Sequence, residues 1–160
     1  MLIRKWQVTD TDEIVDLFYG TVHAVNRRDY SPEQLHAWAD PEDQAERRAA
    51  WRVSFQDRYA YVAQEEGVIT GFTDMTPDGY IDRLFVHHAY QGQGAASALL
   101  RKLEEDARRL GISMLRTEAS LTARPFFERR GFSVVTKQQV TRKGISLTNM
   151  VMSKQIEGTS

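Results

Sequence analysis

The stretch Leu84-Phe-Val-His-His-Ala-Tyr-Gln-Gly-Gln-Gly-Ala-Ala-Ser97 is the most informative part of this 160-residue chain. The residues up to Val86 predict a strand, and the apolar residues that follow recur with a helical period over residues 92–110. The turn between them carries Gly92 and Gly94 and then two alanines. The first N–H groups of a helix lack intrahelical acceptors, and glycine removes the Cβ atom, so a phosphate can approach the backbone. The stretch therefore predicts a main-chain cradle for an anion such as a pyrophosphate.

The rest of the chain predicts a mixed α/β architecture. One parallel crossover through the helix at 92–110 is expected, and no linker or repeat divides residues 1–160, so we predict a single domain. On that helix, residues 95, 96, 99, 100, 103, 107 and 110 share the apolar face. The predicted elements are strands at 2–8, 59–63, 68–75, 80–86 and 114–119, helices at 14–25, from 31, at 40–55, at 92–110 and at 123–130, and two final strands joined at Lys143-Gly144.

Composition excludes several classes of protein. Lys and Arg number 21 against 22 Asp and Glu, which gives a net charge of −1 and no basis for non-specific nucleic-acid binding. Apolar runs are too short to cross a membrane, and the N-terminus has no apolar signal segment, so a soluble cytoplasmic protein is expected. The absence of cysteine excludes disulfides, thiolate metal sites and a cysteine nucleophile.

Two common nucleotide-binding loops do not match the glycine-rich turn. A Walker loop requires Lys and Ser or Thr after its last glycine, whereas Ala95 and Ala96 follow here. A dinucleotide fingerprint requires three glycines at its own spacing, whereas this turn contains only Gly92 and Gly94. Binding of ATP or NAD at this turn is therefore kept only as an alternative function. A second alternative is that the glycines serve only a loop whose backbone needs positive φ angles.

Two motifs in this chain resemble one known family. Gln91-Gly92-Gln93-Gly94-Ala95-Ala96 matches Gln-x-x-Gly-x-Ala, and Ser120-Leu-Thr-Ala-Arg-Pro-Phe-Phe-Glu-Arg-Arg-Gly-Phe132 is similar to Asn-x-x-Ala-x-x-x-Tyr-Glu-x-x-Gly-Phe. Their order and separation are those of the GCN5-related N-acetyltransferase (GNAT) superfamily. The resemblance implies a mostly antiparallel sheet with one splayed parallel strand pair, flanked by helices. It also implies direct acetyl transfer from acetyl-CoA to an amine, without an acyl-enzyme.

The same resemblance implies a set of cofactor-binding residues. The pantetheine arm would pair with the main chain of Leu84, Phe85 and Val86, and an N–H of Phe85 or Val86 would stabilise the oxyanion of the tetrahedral intermediate. Ser120 and Phe127 would lie beside the pantetheine, and Arg129-Arg130 is the candidate pair for the 3′-phosphate. The pyrophosphate would lie on the N–H groups of Gly92, Gln93, Gly94, Ala95 and Ala96, assisted by the side chain of Gln91.

Catalysis needs a base, because an alkyl ammonium with a pKa of about 10 has no lone pair for attack. Asp82 and Glu118 are the candidates, although Asp82 could instead pair with Arg83, and Glu118 with Arg116. The family commonly has a tyrosine that protonates the leaving thiolate. Here that position is Phe127, which has no proton to give. The thiolate would then be protonated by Ser120, by Tyr90, which lies outside the second motif, or by water.

The acceptor pocket is expected near the first helices, with Tyr30, Gln34 and Trp38 as substrate-binding residues. The alternative is that Tyr30 and Trp38 only pack those helices onto the sheet. The arginine pairs at 27–28, 47–48 and 108–109 are interpreted as solvated, and no histidine spacing suggests a metal site.

Two further expectations concern partners and activity. The acceptor would be a small-molecule amine or an exposed peptide amine, and residues 134–152 could form a homodimer through the terminal strands. The rival function is an acyl-CoA-binding module with little turnover, which Phe127 favours.

Overall fold

A computed structural model describes residues 1–157 and follows the predicted order of elements. The largest differences from the predicted bounds are that the first strand ends at Lys5, that the first helix begins at Thr11, that the third helix is preceded by a separate 3₁₀ turn, and that the long helix begins at Ala95. The elements are β1 (Leu2–Lys5), α1 (Thr11–Ala24), α2 (Pro32–Trp38), α3 (Gln44–Ser54), β2 (Tyr59–Glu65), β3 (Val68–Met75), β4 (Tyr80–Val86), α4 (Ala95–Arg109), β5 (Met114–Ser120), α5 (Arg124–Arg129), β6 (Ser133–Arg142) and β7 (Ile145–Gln155).

The seven strands form one mixed sheet in the order β1-β2-β3-β4-β5-β7-β6. Every pair of neighbours is antiparallel except β4 and β5, which are parallel and are connected through α4. This arrangement confirms the predicted fold class, an α/β domain with a mostly antiparallel sheet and one parallel pair. Residues 1–157 contain no helix long and apolar enough to cross a membrane.

The sheet carries a hydrophobic core on each face. Successive side chains of a strand point to opposite faces, so β2 contributes to both cores. Ala60 and Val62 belong to the cluster under α1, α2 and α3, whereas Tyr61 and Ala63 belong to the cluster under α4 and α5. The result is a three-layer α/β/α arrangement with helices on both faces of the sheet.

The apolar face of α4 is confirmed only in its central part. Ala96 is partly exposed and Leu110 is 39% exposed, because Ala96 lies in the first turn of the helix and Leu110 follows its last residue. Asp106 is buried instead, and it accepts a hydrogen bond from the Tyr61 hydroxyl, which the apolar pattern did not predict. The buried apolar residues of α4 are Ala95, Leu99, Leu100, Leu103 and Ala107.

The parallel strand pair begins at a glycine that has no room for a side chain. Gly79 has φ +96°, and its carbonyl accepts from the N–H of Arg116 at 3.0 Å. A Cβ atom there would lie 2.8 Å from the carbonyl oxygen of Met114 and 2.9 Å from Ile112. Only glycine therefore permits the two chains to approach closely enough to start pairing.

The same pair separates almost at once. Tyr80 pairs with Arg116 and Ile81 with Thr117, and the pairing ends there although both strands continue. On the other side of β4 the register shifts, because Asp82 is an extra residue between the pairs that β4 makes with β3. Such a bulge bends its strand and increases its twist. We infer that the bulge turns β4 away from β5 and opens a wedge between them.

β6 forms one edge of the sheet, with Val135 63% exposed. The homodimer through residues 134–152 stays a prediction.

Candidate active site

The wedge opens into a cavity of about 520 Å³ beneath the first three helices. Its wall combines aromatic rings with acidic and basic side chains. The aromatic residues are Phe18, Tyr30, Trp38, Trp51, Tyr80, Phe85 and Phe127, and the charged residues are Asp43, Arg47, Asp82, Arg83, Glu118, Arg142 and Lys143.

The free edge of β4 presents alternate peptide groups to this wedge. His87 donates its N–H to Thr70 of β3 at 2.8 Å. In an antiparallel pair the main-chain groups of successive residues point to opposite sides, so Phe85 also directs its groups to β3. Leu84 and Val86 direct theirs to the wedge. The geometry therefore does not support the N–H of Phe85 as the oxyanion donor, and the N–H of Val86 is the remaining candidate. The ring of Phe85 lines the cavity.

The carbonyl of Val86 is already occupied. It accepts from the Thr21 hydroxyl at 2.9 Å and from the Gln91 side-chain amide at 2.7 Å. Two donors use both lone pairs of a carbonyl oxygen. Gln91 thus holds the glycine turn against the end of β4, and the expectation that its amide assists a pyrophosphate is not supported by this geometry.

The predicted anion cradle lies at the beginning of α4. Gly92 and Gly94 have φ +74° and +88°, and a Cβ atom on either would meet nothing within 4 Å. No side chain caps this helix, and the first turn contains no acidic residue. The positive φ angles therefore require glycine, and the N–H groups that begin the helix have no acceptor among residues 1–157, as binding of a phosphate requires.

One arginine extends this positive region. Arg130 follows α5, stacks over Phe126 at 4.1 Å and donates a hydrogen bond to the Ser97 hydroxyl in the first turn of α4. Arg129 is exposed on α5. Of the predicted pair, Arg130 is therefore the residue that lies beside the cradle.

Glu118 lies on β5 within the cavity wall and contacts two neutral donors. Tyr80 donates its hydroxyl to Oε2 at 3.2 Å, and Gln138 donates its amide to Oε1 at 3.0 Å. Burial, together with the carboxylates of Glu118 and Asp82, raises the pKa of Tyr80, so its hydroxyl stays protonated as a donor. Arg116 contacts Asp78 at 3.1 Å instead, so the alternative pairing of Glu118 is wrong.

Asp82 has a different environment. Its Oδ2 atom lies 2.5 Å from Arg58 and 3.8 Å from Arg83. Arg58 and Arg83 also contact the buried carboxylate of Asp74, at 2.9 and 2.7 Å. Burial is the main reason that the pKa of Asp74 is raised to about 6. Asp82 therefore belongs to an ion-pair network around the β4 bulge.

Ser120 lies at the end of β5, and its hydroxyl donates to no acceptor among residues 1–157. Its Oγ atom accepts from the N–H of Ala123 at 3.0 Å and lies 3.5 Å from the amide of Asn26. Tyr30, in contrast, donates its hydroxyl to the carbonyl of Thr148 at 2.6 Å and accepts from Leu121. Ser120 thus has a proton to donate into the cavity, whereas the hydroxyl proton of Tyr30 is used internally.

The predicted acceptor residues divide between the cavity and its support. Trp38 and Tyr30 line the cavity, and both also pack against the core, as the alternative interpretation states. Gln34 is not among the lining residues. Its amide accepts from the N–H of Ser31 and donates to the carbonyl of Ser146, so it caps α2 and ties it to β7.

Phe127 is only 3% exposed and packs against Phe126 and Phe132 while lining the cavity. The ring at this position offers an apolar surface and no proton. His87 and His88 stack on each other at 4.4 Å outside the cavity wall. Among residues 1–157 no cluster of side chains suits a metal ion.

Among the cavity residues that sequence reasoning missed are two arginines. Arg47, interpreted as solvated, stacks over Phe18 at 4.8 Å and lines the cavity, and Arg142 lines it from β6. Two adjacent arginines look equivalent in the sequence, but adjacent helical residues point about 100° apart, so Arg47 and Arg48 have different surroundings. The position of Arg47 beside aromatic residues of α1 and α2 depends on tertiary packing, which the local pattern does not encode.

Comparison with known proteins identifies the class to which this fold and site belong. Residues 26–154 match the family model described as an acetyltransferase (GNAT) domain. The chain belongs to the GNAT acetyltransferase family, and the resemblance inferred from its two motifs is confirmed.

Individual relatives agree with this assignment. The chain is 35% identical over 150 residues to the uncharacterized N-acetyltransferase YafP of Escherichia coli strain K12, covering 94% of this chain and 93% of that protein. A GCN5-related N-acetyltransferase structure from Rhodopseudomonas palustris superimposes with a TM-score of 0.88 at 30% identity, covering 97% and 95% of the two chains. The fold also matches yncA of Salmonella typhimurium, solved with acetyl-CoA, with a TM-score of 0.70 at 22% identity, covering 100% and 96%.

Proposed function

We propose that this protein transfers the acetyl group of acetyl-CoA directly to an amine. One observation carries the proposal: the β4–β5 pairing stops after Ile81 and Thr117, immediately before a strand edge that leads into the uncapped, glycine-rich start of α4. An extended chain that ends in a pyrophosphate fits such an edge followed by such a cradle. Family membership and the acetyl-CoA bound by yncA of Salmonella typhimurium support the same cosubstrate.

The residues of the wedge have separate roles in this proposal. The N–H of Val86 polarises the thioester carbonyl and stabilises the oxyanion that forms when the amine attacks. Glu118 takes the proton of the ammonium through a water molecule, because its two protein partners leave lone pairs free on both oxygens. Asp82 supports the bulge through its arginine contacts and is the weaker candidate for the base.

The C–S bond breaks as the amide forms, and the sulfur leaves as a thiolate. Ser120 is the proposed proton donor to it, since the hydroxyls of Tyr30, Tyr80 and Thr117 donate to other protein groups. Phe127 supplies only an apolar surface there. A binding module with little turnover is the second candidate, and the absence of a tyrosine hydroxyl at this position is the observation that favours it.

Calorimetric titration with acetyl-CoA, followed by thiol detection with a panel of amines, tests the proposal. Gly94→Glu should weaken acetyl-CoA binding at least about 100-fold, because a carboxylate would occupy the cradle. Gly111→Glu is the matched control, since Gly111 also has a positive φ and open space but lies beyond the other end of α4.

Three outcomes separate the hypotheses. Binding with amine-dependent thiol release supports the transferase, and binding without release supports the binding module. Unchanged affinity in Gly94→Glu would overturn the pyrophosphate assignment.

A further inference from the structure

The charges that line the cavity do not cancel. Lys143 contacts Asp43 at 2.7 Å, and Arg83 lies 3.8 Å from Asp82. Among the residues that the structure describes, neither of the other two arginines in the wall contacts a carboxylate, and Glu118 contacts no cation. Within residues 1–157 the cavity therefore presents two guanidinium groups without a carboxylate partner, those of Arg47 and Arg142, and one carboxylate without a cationic partner, that of Glu118.

Arg47 is held in a fixed position with donors to spare. Its Nε donates to the hydroxyl of Tyr19 at 3.2 Å, and its Nη2 donates to the carbonyl of Trp38 at 3.2 Å. The guanidinium lies 4.8 Å from the ring centre of Phe18 and 5.5 Å from that of Tyr19. A guanidinium has five N–H donors, so three of them find no acceptor within residues 1–157.

The neighbouring arginine of the same helix shows that this is a local feature of the cavity. Arg48 contacts Asp16 at 2.6 Å and Asp12 at 3.8 Å, both of which belong to α1. Arg47 lies half-buried among aromatic rings without such a partner. A partly dehydrated charge is costly unless it is paired, and a carboxylate fits a guanidinium through two parallel hydrogen bonds. An anionic group of a ligand is therefore the partner that Arg47 lacks.

Arg142 extends the positive region along β6. Gln138, Val140 and Arg142 lie on one face of the strand because side chains alternate. Gln138 contacts Glu118, whereas Val140 and Arg142 line the cavity. Four residues of strand span about 13 Å, so Arg142 begins well beyond Glu118 along the cavity. The negative and positive charges thus lie at different positions in the same space.

We propose that the acceptor is zwitterionic, of amino-acid type, with its amine near Glu118 and its carboxylate bound by Arg47 and Arg142. The aromatic wall accommodates an apolar or aromatic side chain between these two ends. This inference rests on the proposed function and adds the substrate class to it.

The kinetic test compares L-phenylalanine with L-phenylalaninamide, which lacks the anionic charge. Arg47→Met should lower kcat/KM for the acid about tenfold or more and leave that for the amide within about twofold. Arg142→Gln should lower kcat/KM for the acid by a smaller factor, because Arg142 is exposed to solvent. Each compound is compared with itself in the wild type, so the different basicities of the two amines cancel. Arg48→Met, the matched control, should change neither value.

A binding measurement keeps the proposal testable without turnover. In the presence of CoA, fluorescence of the tryptophans is titrated with N-acetyl-L-phenylalanine and with N-acetyl-L-phenylalaninamide. The acid should bind the wild type at least about tenfold more tightly than the amide, and Arg47→Met should abolish the difference. Equal affinities, binding of neither compound, or equal losses for acid and amide in Arg47→Met would overturn the anion site. Failure of the proposed function is seen separately, as absence of acetyl-CoA binding.

Discussion

The two edges of β5 differ although they belong to the same seven residues. Toward β7 the strand forms seven consecutive pairs, from Met114 with Gln155 to Ser120 with Asn149. Toward β4 it forms two. Unpaired peptide groups inside a protein are costly, so an edge left open at this depth implies that something else pairs with it. One edge of β5 maintains the fold, and the other borders the cavity of the candidate site.

The largest effect is expected where the β4–β5 pair begins. Gly79→Val should lower the free energy of unfolding by about 4 kcal/mol, because the side chain combines backbone strain with a clash against Met114 and Ile112. Gly67→Val is the control, since Gly67 has φ +81° but nothing within 4 Å of a Cβ atom. Denaturant unfolding measures both. Equal losses in the two variants would mean that close approach of β4 and β5 does not require glycine.

A smaller effect is expected inside the wedge. Glu118→Gln should lower kcat about 100-fold near neutral pH, because the amide cannot take a proton, while acetyl-CoA affinity stays unchanged. Glu128→Gln, which alters an exposed ion pair with Arg124 on α5, should keep full activity. Steady-state kinetics and calorimetry measure the two quantities. An unchanged kcat would eliminate Glu118 as the base.

The smallest effect concerns the bulge that separates the strands. Asp74 is fully buried, and its raised pKa of about 6 means that the folded state binds a proton more tightly than the unfolded chain. The contribution of Asp74 to the free energy of unfolding therefore falls as the pH rises from about 4 to 6, by an amount on the order of 2 kcal/mol.

Asp74→Asn should remove this pH dependence while Arg58 and Arg83 keep Asp82 as a partner. Unfolding curves of the wild type and the variant between pH 4 and 7, subtracted from each other, isolate the contribution of Asp74. A difference that stays constant over this range would show that Asp74 does not titrate there.

Local patterns predicted the elements of this fold well because each depends on residues close in sequence. The strand, glycine turn and helix over 84–110 need only alternation, positive φ at Gly92 and Gly94, and a helical period. The buried Asp106 was not predictable, because its partner Tyr61 lies 45 residues away.

The candidate site was predictable in part. Sequence reasoning identified Glu118, Asp82 and the glycine turn as candidates, but it left their environments open, since Arg58 reaches Asp82 from the turn between α3 and β2. Gln34 was predicted in the acceptor pocket, whereas the structure uses its amide to cap α2. Short polar side chains serve caps and sites equally well, and only the fold distinguishes the two uses.

By itself, the sequence determined the order of strands and helices, the glycine turn that begins α4 and the family, because these depend on periodicity, on glycine positions and on two local motifs. Only the tertiary structure decided where β4 and β5 part and which charges remain unpaired in the wedge. The bulge at Asp82 is defined by its register against β3, and Arg47 is distinguished from Arg48 by the rings packed around it. Both are relations between distant residues, and only the packed sheet and helices bring those residues together.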